Sequence, residues 1–106
     1  MEITKEDWHL FREKITDWQE AYMERLIGEY REILSGDADA SDKFWQLEER
    51  IRNDKKHPGV ILEIRKQNLL YDLARLIGDG VITFDDIGDF SEEMKEAVSF
   101  LCGRHD

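Results

Sequence analysis

Apolar residues recur along the first third of the chain in alternating steps of three and four, at Trp8, Phe11, Ile15, Trp18 and Tyr22, then at Leu26, Tyr30 and Ile33. Met23, Ile27 and Leu34 widen the stripe, while Glu13, Lys14, Asp17, Glu20, Glu24 and Arg31 take the opposite face. That spacing predicts one long amphipathic helix over residues 4–34. Thr4 followed three residues later by Asp7 is a near relative of the capping box, and Glu6 and Asp7 suit the positive end of the helix dipole. Ser35-Gly36 supplies a stop, and Gly28 is an internal weak point costing about 1 kcal/mol against Ala.

After a short polar loop over 36–40, Ser41 or Asp39 caps a second helix to about residue 53, with Phe44, Leu47 and Ile51 on one face and Trp45 beside them. A turn follows, and Pro58 fits the first position of a third helix over 58–77, although Gly59 weakens that start. Its stripe of Leu62, Leu69, Leu73 and Leu76 is joined by Val60, Ile61, Ile64, Leu70, Tyr71 and Ile77, which marks it as the central element. Gly78-Asp79-Gly80 ends it. Val81-Ile82 is a brief extended piece, Thr83 caps a turn at 84–87 with Asp86 three residues on, and Ser91 caps a last helix through about Leu101. Met94, Val98 and Leu101 form its face, with Ile87 and Phe90 just before, and 102–106 reads as a frayed tail. The expectation is an all-α, four-helix bundle-like single domain over 1–106, with a long N-terminal helix and a short glycine turn and extended segment before the last helix.

Length sharpens this picture. Thirty helical residues span about 45 Å, whereas a compact chain of 106 residues has a diameter of roughly 33 Å. The first helix therefore bends near Gly28, or the bundle is elongated, or the overhang packs on a second copy. The tryptophan-bearing half is too apolar to face water. A homodimer joined through Trp8, Phe11, Ile15, Trp18 and Tyr22 is the expected resolution.

The formal charge of −10 is unevenly placed: residues 1–35 carry −4, 36–58 carry −1, 59–78 carry +1 and 79–106 carry −6. Acidic balance disfavours broad binding to nucleic acid or anionic membrane. A single Cys excludes a disulfide framework, and no apolar run approaches the roughly 18 residues of a membrane span. The basic middle holds Arg50, Arg52, Lys55 and Lys56, followed by His57, Arg65 and Lys66. It reads as a solvated corner, or more sharply as an anion-contacting patch near the start of the third helix.

Residues 79–87 resemble the second half of an EF-hand loop. Aligned on Gly80, however, Arg75 and Ile77 fall where oxygen ligands belong, so the resemblance is one of turn structure and not of calcium binding. Glu6 and His9 have di-iron spacing, but the only near copy, Asp54 with His57, falls in a turn. Cys102 and His105 lack a second ligand pair for zinc. No phosphate loop and no convergent nucleophile and base are present. No catalytic residue, cofactor or metal is expected.

Leu76 through Thr83 and Asp89 through Lys95, with Lys43-Phe44-Trp45 and His57-Pro58-Gly59 before them, resemble a family of short uncharacterised helical proteins of Firmicutes. The resemblance implies a cytoplasmic bacterial protein and carries over no catalytic residues. Some members carry a transporter label, which the lack of any spanning segment in this sequence contradicts. Taken together, the residues point to a protein–protein interaction or regulatory module acting as a homodimer. The alternative is an acidic decoy whose carboxylates imitate nucleic acid phosphates before a basic partner.

Overall fold

The computed structural model describes residues 1–103, and among them the secondary structure is entirely helical. The elements are α1 (Lys5–Ser35), α2 (Ala40–Asp54), α3 (Leu69–Gly78) and α4 (Glu92–Leu101), with 3-10 turns at Lys66–Asn68 and Phe84–Ile87. α1 is the long helix the periodicity predicts. The Thr4 hydroxyl accepts from the Asp7 backbone N–H at 3.1 Å, closing its first turn. It runs unbroken through Gly28, so the chain takes the elongated option: its extents are 53 × 28 × 17 Å and its radius of gyration is 16.7 Å.

Two regions share α1. In the head, the first half of α1 packs with α3, α4 and the segment between them. Phe11, Leu69, Leu73, Leu76, Ile87, Met94 and Val98 are all fully buried there, and Ile15, Ile82 and Phe90 nearly so. In the arm, the second half of α1 runs alongside α2. No residue of α2 is buried, and none belongs to the head core.

The predicted third helix is shorter than its apolar content suggests: α3 begins at Leu69, not Pro58. The His57-Pro58-Gly59 turn lodges against α1 instead. Its backbone closes through Val60 and Ile61 N–H groups donating to the His57 carbonyl, both at 2.9 Å. The Tyr22 and His57 rings stack at 4.6 Å, and the Gln19 amide donates to the Pro58 carbonyl at 3.0 Å. A Cβ on Gly59 would stand 2.2 Å from the Tyr22 ring, so only glycine allows this approach. Beyond the turn, Ile61 and Ile64 are exposed, as a central helix would not leave them. What remains of the helix, with Leu69, Leu73 and Leu76, is nonetheless central.

α3 ends in a Schellman motif. The Gly80 N–H donates to the Ile77 carbonyl at 3.1 Å and the Val81 N–H to the Leu76 carbonyl at 2.9 Å, with Gly80 at φ +77°. The Arg25 guanidinium donates to the Gly80 carbonyl at 2.9 Å, tying this turn to α1. Thr83 and Asp86 then form the capping box that the sequence predicts.

Candidate functional site

The five residues of the expected dimer stripe are occupied within the chain. Phe11 and Ile15 are buried in the head, against α3 and α4 of the same molecule. Trp8 stacks on Phe11 at 6.2 Å, and Trp18 meets Phe11 edge-on at 6.3 Å and Phe90 at 6.4 Å. Tyr22 lies between His57 and the Arg25 guanidinium, the latter 4.9 Å from its ring centre. Phe11 and Ile15 thus belong to the core of their own chain, while Trp8, Trp18 and Tyr22 are half-buried.

In the basic patch, the two arginines are engaged by carboxylates of the same chain. Arg50 reaches Glu29 of α1 at 3.2 Å and Asp54 at 3.7 Å, and lies 5.6 Å from the Tyr30 ring centre. Arg52 pairs with Glu48 one turn back, which holds the Glu48 carboxyl below its usual range, while Lys55 adds its charge to that effect. Lys56 continues the patch along the chain. The helix N-terminus that would complete an anion site stands at Leu69, far from this corner in sequence. Arg50 and Arg52 thus meet carboxylates of their own chain, and Lys55 and Lys56 are exposed.

These contacts have a structural result: they stitch α2 onto α1. The Tyr30 hydroxyl donates to the Asp54 carboxylate at 2.5 Å. Burial first, then this bond and the Asp54 charge, push the Tyr30 phenol up to about 12. Burial and the Asp54 charge raise the Tyr22 phenol as well. Lys43, Leu47, Arg50 and Asp54 are the half-buried positions of α2, so that is the face turned toward α1.

Apart from Leu47, the apolar residues of α2 lie off that packed face. Phe44 is 63% exposed, Trp45 64% and Ile51 38%. Phe44 and Trp45 meet edge-on at 5.0 Å and leave their outer surfaces open. On α1, Ile27 is 48% exposed. Between the helices lies an open hollow of about 190 Å³, lined by Met23, Leu26, Ile27, Tyr30, Ile51 and Val60 with Asp54 and Lys55 at its edge. It runs into a second hollow along α2, lined by Phe44, Leu47, Glu48, Ile51, Arg52 and Lys55. A third, on α1, extends the surface past Met23 and Ile27 to Asp17, Glu20 and Glu24. The result is one continuous apolar face with an acidic rim on α1 and a mixed rim on α2, where Glu48 and Asp54 accompany Arg52 and Lys55. Sequence reasoning missed it because a 3.6-residue stripe reports that a helix has an apolar side, not whether its own chain covers that side.

The remaining sequence candidates are dispersed. His9 pairs with Glu13 at 3.0 Å, not with Glu6. The Cys102 thiol lies 3.8 Å from the Ala74 carbonyl, and His105 lies outside the described residues. Among the described residues, no three His, Cys, Asp or Glu side chains converge as a metal site would require, and no helix is long and apolar enough to cross a membrane. Comparison with protein-family models, with curated proteins and with solved structures finds no match.

Proposed function

We propose that this protein is a protein–protein interaction module whose contact surface is the open face of the α1–α2 arm. One observation carries the reading: α2 is amphipathic and pinned to α1 by polar bonds, yet none of its residues is more than half-buried and Phe44, Trp45 and Ile51 face solvent. A 15-residue helix with no fully buried residue and an exposed apolar side is suited to present a surface. The head supplies stability and the arm supplies contact. The resemblance to short bacterial proteins adds a cytoplasmic setting to this proposal.

The acidic decoy takes second place. The charge of −10 favours it, but many carboxylates are committed locally. Asp7 is buried, Glu29 and Asp54 meet Arg50, Glu48 meets Arg52, Glu63 meets Arg65, and Asp79 meets Arg75.

A photo-crosslinking amino acid in place of Phe44, introduced in the cells that make the protein, tests the module reading. Discrete adducts are expected from position 44 and not from the exposed head position Glu96. An absence of adducts at 44 removes the proposal, and salt-labile capture of basic proteins through the acidic faces would favour the decoy instead.

A further inference from the structure

We propose that the occupant of the arm's open face is the same face of a second copy, the two arms closing into a four-helix bundle with α1 of each chain on α2 of the other. This rests on the arm being a contact surface and adds the identity of its partner.

Area is the first argument. A compact protein of 12.6 kDa exposes about 6,200 Å². This chain exposes 7323 Å², an excess of about 1,100 Å². For a pair of chains the excess is about 2,200 Å², the size at which permanent homodimer interfaces begin. The excess goes with the 53 Å length of the chain, and along the arm Ile27, Phe44, Trp45 and Ile51 stand open to solvent. Two amphipathic helices side by side cover half of each apolar stripe, and a second pair laid across them covers the rest. That is the packing of a four-helix bundle. Ile27, Phe44, Leu47 and Ile51 would supply its central layers.

Charge selects the partner and the arrangement. Asp17, Glu20 and Glu24 make the α1 rim of the face acidic, whereas on α2 Arg52 and Lys55 stand with Glu48 and Asp54 and leave that rim balanced. A twofold axis that places α1 on the second copy's α2 sets the α1 acids beside a rim that holds Arg52 and Lys55, and keeps the two acidic rims apart. The arrangement that places α1 on α1 sets carboxylates against carboxylates. A self-complementary face of this kind is what an isologous interface requires.

Sedimentation of the full chain over about 1 to 200 µM tests the proposal. The expected species has twice the 12.6-kDa mass. Phe44→Asp with Ile51→Asp is expected to weaken the dimer at least about 100-fold with an unchanged helical circular dichroism, because neither residue is buried. Glu20→Lys with Glu24→Lys is expected to weaken it about 10-fold, and adding Arg52→Glu and Lys55→Glu to restore most of the loss. A single-chain mass throughout, or a dimer indifferent to the Phe44 and Ile51 changes, overturns the proposal. Failure of the charge swap to recover association overturns the α1-on-α2 arrangement. If the chain is monomeric while crosslinks at 44 join it to a different protein, the partner assignment falls and the module reading stands. If no crosslink forms either, both fall.

Discussion

Asp7 and Ser91, 84 positions apart, are joined by two hydrogen bonds: the Ser91 backbone N–H donates to one Asp7 carboxylate oxygen at 2.9 Å and its hydroxyl to the other at 2.6 Å. The same hydroxyl accepts from the Met94 N–H at 3.2 Å, so a single side chain caps α4 and ties it to the first turn of α1. Asp7 is 3% exposed, and this pairing is what makes its burial tolerable. Asp7→Ala leaves the Ser91 donors without their partner and is expected to cost about 2–3 kcal/mol in urea unfolding. Ser91→Ala is expected to cost less than Asp7→Ala. The double variant should cost clearly less than the two combined, because both remove one network.

Asp72 is the opposite case. It is buried, its Oδ2 has no hydrogen-bond partner, and burial pushes its carboxyl up from 3.8 to about 6 despite the opposing charge of Arg75. The folded state holds this proton more tightly than the unfolded chain does. Its effect therefore favours folding at low pH, declines as pH rises from about 4 to 6, and is constant above. Asp72→Asn is expected to stabilise the protein at pH 7 by about 1–2 kcal/mol, less than the full shift because some water reaches the site. It should also flatten that part of the stability–pH curve. Equal stability of the two proteins at pH 7 would show that Asp72 is accommodated in the folded state.

Gly59→Ala forces a methyl group into the Tyr22 ring. The ring is held by His57 on one side and Arg25 on the other, so it has little freedom to move. A loss of about 1–3 kcal/mol is expected. Tyr22→Ala in the same chain should relieve part of it, making the pair less harmful than independent changes would be.

Tyr30→Phe removes the hydroxyl that binds Asp54 and should cost about 1 kcal/mol at pH 7. The raised phenol works in the alkaline direction: its contribution is complete below pH 10 and fades as pH rises through about 12. Ultraviolet titration of the tyrosines should lose its latest component in the variant. If that component persists, it belongs to another tyrosine.

The division into head and arm gives a sharp contrast in stability measured on the isolated chain. Phe11→Ala, in the fully buried head core, is expected to cost about 3–5 kcal/mol. Trp45→Ser, at an arm position 64% exposed, should change it by less than about 0.5 kcal/mol. Comparable losses at both positions would mean that α2 is an integral part of the folding unit.

Local signals were the legible part of this fold. α1, the Thr83–Asp86 box, the Ser91 cap and the glycine turn after α3 all follow from residues within a few positions of one another. The third helix was overextended because Pro58 mimics a helix start and Val60, Ile61, Leu62 and Ile64 are apolar. The polar run from Arg65 to Asn68 and the helix-weakening Gly59 were the contrary signals. Within the Trp8–Tyr22 stripe, Phe11 and Ile15 are covered by the C-terminal part of the same chain and Tyr22 meets His57. Nothing within α1 distinguishes that from a second molecule. The role of Asp7 depends on a partner 84 positions away and lies beyond any local pattern.

The bond between Asp7 and Ser91 also imposes an order of events during synthesis. At roughly 5–20 residues per second, Ser91 follows Asp7 out of the ribosome by about 4–17 s. For that interval the side chains of Phe11 and Ile15 have no α4 to cover them, while the α1–α2 hairpin already has all of its own partners and can form at once. The arm is thus the first part of the molecule able to take shape and the head the last.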